Sequence, residues 1–394
     1  MSNLQIIALM DCDSFFVSCE QLDNPELLGK PVCVLGNNDG CVISRSKEAK
    51  KMGVKMGMPH FMAKKEFPNA IYVSGRYSRY VEISNRIMGL LTTFSPNIEQ
   101  YSIDEAFIDF TGLRRLYKRN YLEIAKMIRN EVKAKIGIPV SIGISTTKTL
   151  AKLASHRAKT QDGVYLIGNR SIEKELKNTP VSDIWGIGKN TTALFAKYGL
   201  KTAYEFSQQS DDWIDKKLGI RGLRMKEELL GNSVFKVDNS ELLPKSIQNT
   251  RSFANFSDDK EFIKNSIIYH INTACRRLRE MELKANAITV MLKTKDFKYY
   301  SERKILLNPT SWDSDIIQQA LLVFEKMYIP KTLYRSSGVT FDSLIKENDI
   351  QMSLFANIET EEKKSKLSKS IDKLTHKYKK DVIKIGFSAS PQNC

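Results

Sequence analysis

The chain has 394 residues, too many for one ordinary core and enough for two to four domains. Hydrophobic residues at 42% and charged residues at 27% are globular proportions, which excludes wholesale disorder, and no apolar run reaches the roughly 18 residues a membrane span needs. Lysine and arginine outnumber the acids 61 to 45, and the resulting +16 favours a polyanionic partner, nucleic acid ahead of an anionic membrane surface.

The opening MSNLQIIALMDCDSFF has no basic start and meets acid at Asp11, so it reads as no signal peptide. Residues 4–10 form a short apolar run interrupted only by Gln5, the profile of a buried central strand ending at Asp11. Turn markers then crowd residues 21–75, among them Asn24-Pro25, Asn37-Asn38-Asp39-Gly40, Gly53, Pro59 and Pro68, which marks a small module inserted after the first strand. Tyr80, Ile83, Ile87, Leu91 and Phe94 recur at helical spacing up to Ser95-Pro96. Extended segments at 97–101 and 106–110 flank a turn, Ser102-Ile103-Asp104-Glu105. A helix follows over about 118–135, then a strand on Val140, Ile142 and Ile144, then a helix over 147–159. Without the insert the order is strand, helix, strand, strand, helix, strand, the split βαβ arrangement of ferredoxin-like domains.

From about 170 the pattern is wholly helical, broken by Gly186, Gly188, Gly199, Gly219 and Gly222. A polar connector over about 233–248 leads to a second α/β unit at 245–345, with strands at 287–293, 304–307 and 337–341 and helices at about 260–280 and 313–327. The lysine-rich end, 356–394, has one amphipathic patch on Leu367, Ile371, Leu374 and Tyr378. Six cysteines and four histidines are scattered without zinc-ligand spacing, so the thiols read as reduced and any metal chemistry must rest on carboxylates, which suit magnesium.

In the βαββαβ topology the first strand lies beside the acidic hairpin, so Asp11, Asp104 and Glu105 converge at one end of the sheet. Three carboxylates repel one another unless a cation holds them, and two magnesium ions about 3.5–4 Å apart would serve phosphoryl transfer. The plain alternative, a solvated acidic turn and an aspartate that merely ends a strand, stands even with it on composition alone.

The wording of both pieces goes further. MDCDSFF at 10–16 and YSIDEAFID at 101–109 resemble the two metal-binding motifs of the Y-family, translesion DNA polymerases. GKPVCVLGNNDGCVISRSKEAKKMGVKMG at 29–57 is similar to their UmuC branch, and the likeness continues through TKTLAKLASHRAK and VSDIWGIGK over essentially the whole chain. The resemblance implies a multidomain α/β and α+β protein: a ferredoxin-like palm (1–20 and 76–168) with inserted fingers (21–75), a small all-helical thumb with a helix-hairpin-helix (169–232), an α/β little finger (243–346), and a mostly helical tail (347–394). It implies template-directed, error-prone synthesis past DNA damage in the SOS response, with Asp11, Asp104, Glu105 and the Cys12 backbone carbonyl on two Mg²⁺ ions. Phe16 takes the position of the steric gate, a ring that leaves no room for a 2′-hydroxyl. Lys50 and Lys152 fall at the positions that hold the dNTP phosphates. One departure is that the tyrosine many relatives carry three residues before Lys50 is Lys47 here, and Arg45 nearby is a candidate to share its contact.

Trp185-Gly186-Ile187-Gly188, followed by Lys189, has the form of a phosphate-gripping hairpin, and Leu218-Gly219-Ile220-Arg221-Gly222 is a poorer second copy. In the 245–345 unit Arg251, Arg276, Arg279, Lys293 and Arg303 belong to a basic set for sequence-independent DNA binding. Gln351, Leu354 and Phe355 match the peptide by which bacterial polymerases hold the sliding clamp. The expected partners are primer-template DNA, dNTP and the clamp, with a UmuD-like accessory protein left open; no membrane is expected and the location is cytoplasmic. Two rivals stay open: a nucleotide-cyclase-type phosphotransferase on the same sheet, and a clamp-tethered DNA-binding factor without catalysis.

Overall fold

The computed structural model describes residues 5–240, 243–349 and 358–378. The chain divides into two compact units, Met1–Glu241 and Leu242–Cys394.

In the first unit, β1 (Ile7–Cys12) runs into α1 (Phe15–Asp23). The insert follows as β2 (Val32–Leu35), β3 (Val42–Arg45), α2 (Lys47–Lys51), α3 (His60–Glu66) and β4 (Ile71–Ser74). It closes a separate three-stranded sheet, β3-β2-β4, over its own small core of Cys33, Leu35, Val42, Ala49 and Val54. The main sheet resumes with α4 (Tyr77–Leu91), β5 (Ile98–Gln100), β6 (Glu105–Asp109), α5 (Leu113–Tyr117), α6 (Tyr121–Ile136), β7 (Val140–Ser145), α7 (Lys148–Ala158) and β8 (Val164–Leu166). Its order is β5-β6-β1-β7-β8, with β1 antiparallel to both neighbours, which is the expected ferredoxin-like order plus one edge strand. β8 pairs parallel to β7 and escaped the sequence reading because three residues carry too little periodicity. The helix expected from about 118 begins at Tyr121 instead, because Asn120 and Glu123 form a reciprocal capping box.

The two faces of this sheet are covered differently. Ala8, Met10, Ile108 and Ile142 pack against Tyr80, Ile83 and Ile87 of α4 and Ile124, Ile128 and Val132 of α6 in the main core. The other face takes α7 at very short range. A Cβ on Gly143 would stand 2.4 Å from the Ala151 carbonyl oxygen and 1.9 Å from the Ser155 nitrogen, so only glycine lets α7 lie this close to β7.

A helical subunit of α8 (Ile172–Lys177), α9 (Lys189–Lys197), α10 (Ala203–Ser207) and α11 (Asp211–Leu230) encloses Phe195, Phe206, Ile214 and Leu229. The second glycine pair, a poorer copy of the phosphate-gripping hairpin in sequence, is built differently. Gly219 breaks α11 with φ 62°, and a Cβ on Gly222 would stand 2.5 Å from Leu218 and 2.8 Å from Ile214, so Gly222 is a packing residue.

The second unit runs β9 (Ser246–Ser257), α12 (Lys260–Glu280), β10 (Leu283–Thr294), β11 (Tyr299–Thr310), α13 (Asp313–Met327) and β12 (Tyr334–Lys346). Its antiparallel sheet is ordered β11-β10-β12-β9, with both helices packed on its core. The strands are far longer than expected and β9 was missed, since polar runs such as Gln248–Ser252 and Ser301–Lys304 hide strand behind a solvated face. The tail helix α14 (Ile358–Tyr378) folds back on this unit. Of its apolar patch, Ile371 and Leu374 are half-buried while Leu367 and Tyr378 are each 52% exposed, and Ser368 and Thr375 are buried. Arg279, counted above as DNA-binding, is instead a buried hub that donates to Asp372 at 2.6 and 3.0 Å and to Asp313 at 2.7 Å. Gln351, Leu354 and Phe355 lie outside the described residues.

Candidate active site

β1 ends in the middle of the main sheet, so its last residues are flanked on both sides. Asp11 stands opposite Glu105 on β6 and Ser141 on β7. The Cys12 N–H donates to the Asp104 carbonyl at 2.9 Å. That rung makes Asp11 and Glu105 the close pair of the ladder, with Cα atoms about 4.5 Å apart and side chains on one face. Glu105 is therefore the first residue of β6 rather than part of the turn, because β1 extends the ladder far enough to pair with it.

The face they share is the one under α7, beside Ile7, Leu9 and Phe107. Two lysines near the ends of about two helical turns come down on it. Lys152 Nζ donates to both Glu105 oxygens at 2.6 and 2.8 Å, and Lys159 Nζ lies 2.8 Å from Asp11 Oδ1. Lys152 also sits 5.0 Å from the Tyr101 ring centre and 5.9 Å from that of Trp185. In the turn, the Ser102 hydroxyl donates to the Asp104 carboxylate and accepts from the N–H groups of Asp104 at 3.2 Å and Glu105 at 3.0 Å. The Asp104 amide is thus spent on Ser102, and the bond from Cys12 N–H is not returned through it to the Cys12 carbonyl.

Burial pushes the Asp11 carboxyl up to about 6; Glu105 and Asp104 push the same way, against the opposing pull of Lys159. The site resists its own charge unless cations are present. On the other side of Asp11, burial first and then Arg45 and Lys159 hold the Lys50 ammonium below its ordinary range. Arg45, Lys50 and Lys159 are cations close enough to repel one another, and Asp11 and Asp13 are the anions that offset them. Arg45 donates to the Val54 carbonyl and keeps a buried Nε without a partner. Among the described residues no ion pair joins the exposed Lys47 to the carboxylates. Phe16 is half-buried on α1 and stacks on Tyr80.

Sequence reasoning found the carboxylates and Lys152 but missed Lys159. The signal was available: Lys159 follows Lys152 by seven residues, two turns along the same side of a helix. As donors for a metal, three carboxylates and a carbonyl are the oxygen set that magnesium takes. Among the described residues no three such side chains are gathered on one point, because Asp11 and Glu105 each face a lysine.

In the helical subunit Gly186 has φ 92°, and Gly188 caps the N-terminus of α9 with nothing within 4 Å of a Cβ built on it. Its backbone is therefore approachable, with the exposed Lys189 next in line. Trp185 turns inward instead, donating to the Tyr101 hydroxyl at 3.2 Å. In the second unit Arg251 lies on β9. Arg335, which sequence reasoning passed over, stacks 3.9 Å from the Phe297 ring centre.

A family model described as impB/mucB/samB family matches residues 10–156, and one described as its C-terminal domain matches residues 244–354. Protein UmuC of Salmonella typhimurium is 34% identical over 391 residues, covering 96% of this chain and 92% of its own. DNA polymerase IV of Treponema denticola is 30% identical, covering 98% of this chain and 97% of its own. Among solved structures, a Y-family DNA polymerase chimera of Dbh and Dpo4 superposes with a TM-score of 0.72 at 26% identity, over 86% of this chain and 99% of that one. The insertion ternary complex of Dbh DNA polymerase follows with a TM-score of 0.61 at 26% identity over the same shares. No helix among the described residues is long and apolar enough to cross a membrane.

Proposed function

Because the chain belongs to the impB/mucB/samB family, on the UmuC-like branch of the Y-family polymerases, it is a DNA-directed DNA polymerase of the translesion type, and we propose that the end of β1 is where it adds nucleotides. The observation that carries this is the facing pair of Asp11 and Glu105, each neutralised by a lysine, Lys152 within α7 and Lys159 at its C-terminal cap. Asp11, Asp104, Glu105 and the Cys12 carbonyl would hold two Mg²⁺ ions, which, when bound, activate the primer 3′-hydroxyl and screen the leaving pyrophosphate.

The chain's own cations then have a second task. A triphosphate entering between the insert and α7 offers Arg45, Lys50 and Lys159 an anion that relieves their mutual repulsion. Lys159 leaves Asp11 for a phosphate, and Asp11 is released to carry its charge toward the metals. Lys152 stays with Glu105 and fixes its orientation. Phe16 lies under the incoming sugar and excludes the 2′-hydroxyl.

The insert acts as fingers (21–75), the main sheet as palm (1–20 and 76–168), the helical subunit as thumb (169–232) and the second sheet as little finger (243–346). Gly186, Gly188 and Lys189 take backbone phosphates, and Arg251 contributes on the second unit. The 347–394 segment carries the clamp peptide at Gln351, Leu354 and Phe355, and a UmuD-like subunit is a further partner, in the cytoplasm and within the SOS response. The cyclase and non-catalytic readings are not favoured, since the relatives above are polymerases. The test is primer extension with Mg²⁺, wild type beside Asp104→Ala: extension by the wild type alone supports the site, and equal extension by both overturns it.

A further inference from the structure

α1 and α4 pack against each other beside the candidate site, and each contributes two residues four apart. Phe16 and Glu20 lie on α1; Arg76 and Tyr80 lie at the start of α4. Four-residue spacing sets each pair on one side of its helix. The two pairs meet as a square, and Tyr80 spans both residues of α1. Its ring stacks on Phe16 with centroids 4.6 Å apart and 23° between planes. Its hydroxyl donates to Glu20 at 2.7 Å.

Glu20 is itself held. Its side chain is 5% exposed, and Arg76 closes on it with Nε at 3.1 Å from both oxygens and Nη2 at 2.7 Å from one. Arg76 continues to Asp23 at 2.9 Å, which Arg79 also grips at 2.8 Å. An aromatic stack in a core needs no hydroxyl, and a carboxylate out of water is costly unless paired. Here one buried carboxylate serves both the arginine and the phenol, so the Tyr80 ring can neither rotate nor slide without breaking a charge-assisted bond. Phe16 carries no polar atom; besides Tyr80 it meets only apolar neighbours such as the Phe15 ring at 5.7 Å, none of them held by a charge-assisted bond to it. A ring that excludes a hydroxyl by size does so only if it cannot retreat to another rotamer when pushed.

We infer that Tyr80, locked by Glu20 and Arg76, is the positioning residue that sets how strictly Phe16 excludes ribonucleotides; this rests on the reading of Phe16 given above. The experiment is single-nucleotide incorporation by the full chain with Mg²⁺ and primer-template, giving the ratio of kcat/KM for a dNTP to that for the matching rNTP. Phe16→Ala lowers the ratio about a hundredfold, Tyr80→Leu about tenfold, and Tyr80→Phe and Arg76→Gln about threefold each. A purely structural role would slow both substrates together and leave the ratio alone. Wild-type ratios in all three Tyr80 and Arg76 variants, with the ratio lost in Phe16→Ala, overturn the brace and leave the gate standing. A wild-type ratio in Phe16→Ala removes the gate and the brace with it. If Tyr80→Leu does not fold, Tyr80→Phe and Arg76→Gln decide, since the first keeps the ring and the second changes a side chain 47% exposed.

Discussion

Both units string strand, helix, strand, strand, helix, strand, yet the first sheet is ordered β5-β6-β1-β7 and the second β11-β10-β12-β9. In the first, the central pair is the first and third strands, so β1 ends beside the turn of the β5–β6 hairpin. In the second, it is the second and fourth, so β12 begins beside the turn of the β10–β11 hairpin, with Thr294 opposite Tyr334. The same kind of corner results, where a central strand meets a hairpin turn, but it is furnished oppositely. The first corner pairs Asp11 with Glu105, and Asp104 precedes Glu105 in the turn. The second gathers Lys293 over the rings of Tyr299 at 4.4 Å and Phe297 at 4.9 Å, with Arg335 over Phe297. One suits cations and the other a phosphate backbone, so topology supplies a meeting point and the residues at the strand ends decide the chemistry.

The contrast extends to buried charge. The first sheet keeps Asp11 buried against its preference, a strain that a functional site retains. The second also buries a carboxyl, Asp313, which burial pushes up, but there Arg279 is held between two aspartates and pulls Asp313 back. Asp11→Asn therefore separates stability from function: extension falls by at least about a thousandfold, while the metal-free protein melts at the same temperature or higher. A matching loss of melting temperature would remove the contrast. Asp313→Ala does the reverse. It strips one partner from a buried arginine at a cost of about 3 kcal/mol, read as a lower urea midpoint, with residual activity in proportion to folded protein.

A third difference is in pH. His270 in the second unit is fully buried on α12, bonded to Asn249 and Ser266, with Ser337 in the same network and Arg251 the nearby charge. Burial first, and then Arg251, lowers its pKa to about 4. A histidine kept neutral in the fold contributes stability that is complete above about pH 6.5 and is lost as the pH falls toward 4, about 2 kcal/mol of it by pH 5. The urea midpoint of the full chain should drop between pH 7 and pH 5, and His270→Gln should shrink that drop. The smallest expected effect is at the cationic corner. Lys293→Ala and Arg335→Ala should each reduce the salt slope of DNA binding by about one, equally on unrelated sequences; unchanged slopes would mean the two corners are not opposites in use.

Much of the first sheet was legible. Its central strands β1 and β7 are buried on both faces and carry apolar residues that read as strand, and its helices carry clear three-and-four periodicity. The second sheet was legible only in its helices, because its strands are half solvated and Gln248-Asn249-Thr250-Arg251-Ser252 does not look like a strand without a neighbour to pair with. The tail helix was visible, but whether it folds back was not: it is held by ion pairs such as that of Asp372 with Arg279, 93 residues upstream, which no local pattern announces.

By itself the sequence determined which residues carry charge, where the apolar runs stop, and hence that acid sits at the end of one strand and in one turn. Tertiary structure alone decided that Glu105 pairs with Asp11, that Lys159 answers Asp11, and that Tyr80 lies on Phe16 with its hydroxyl on Glu20. Periodicity encodes contacts within a turn or a strand, whereas these pairings join elements dozens of residues apart and depend on strand order and on how closely α7 approaches β7 over Gly143.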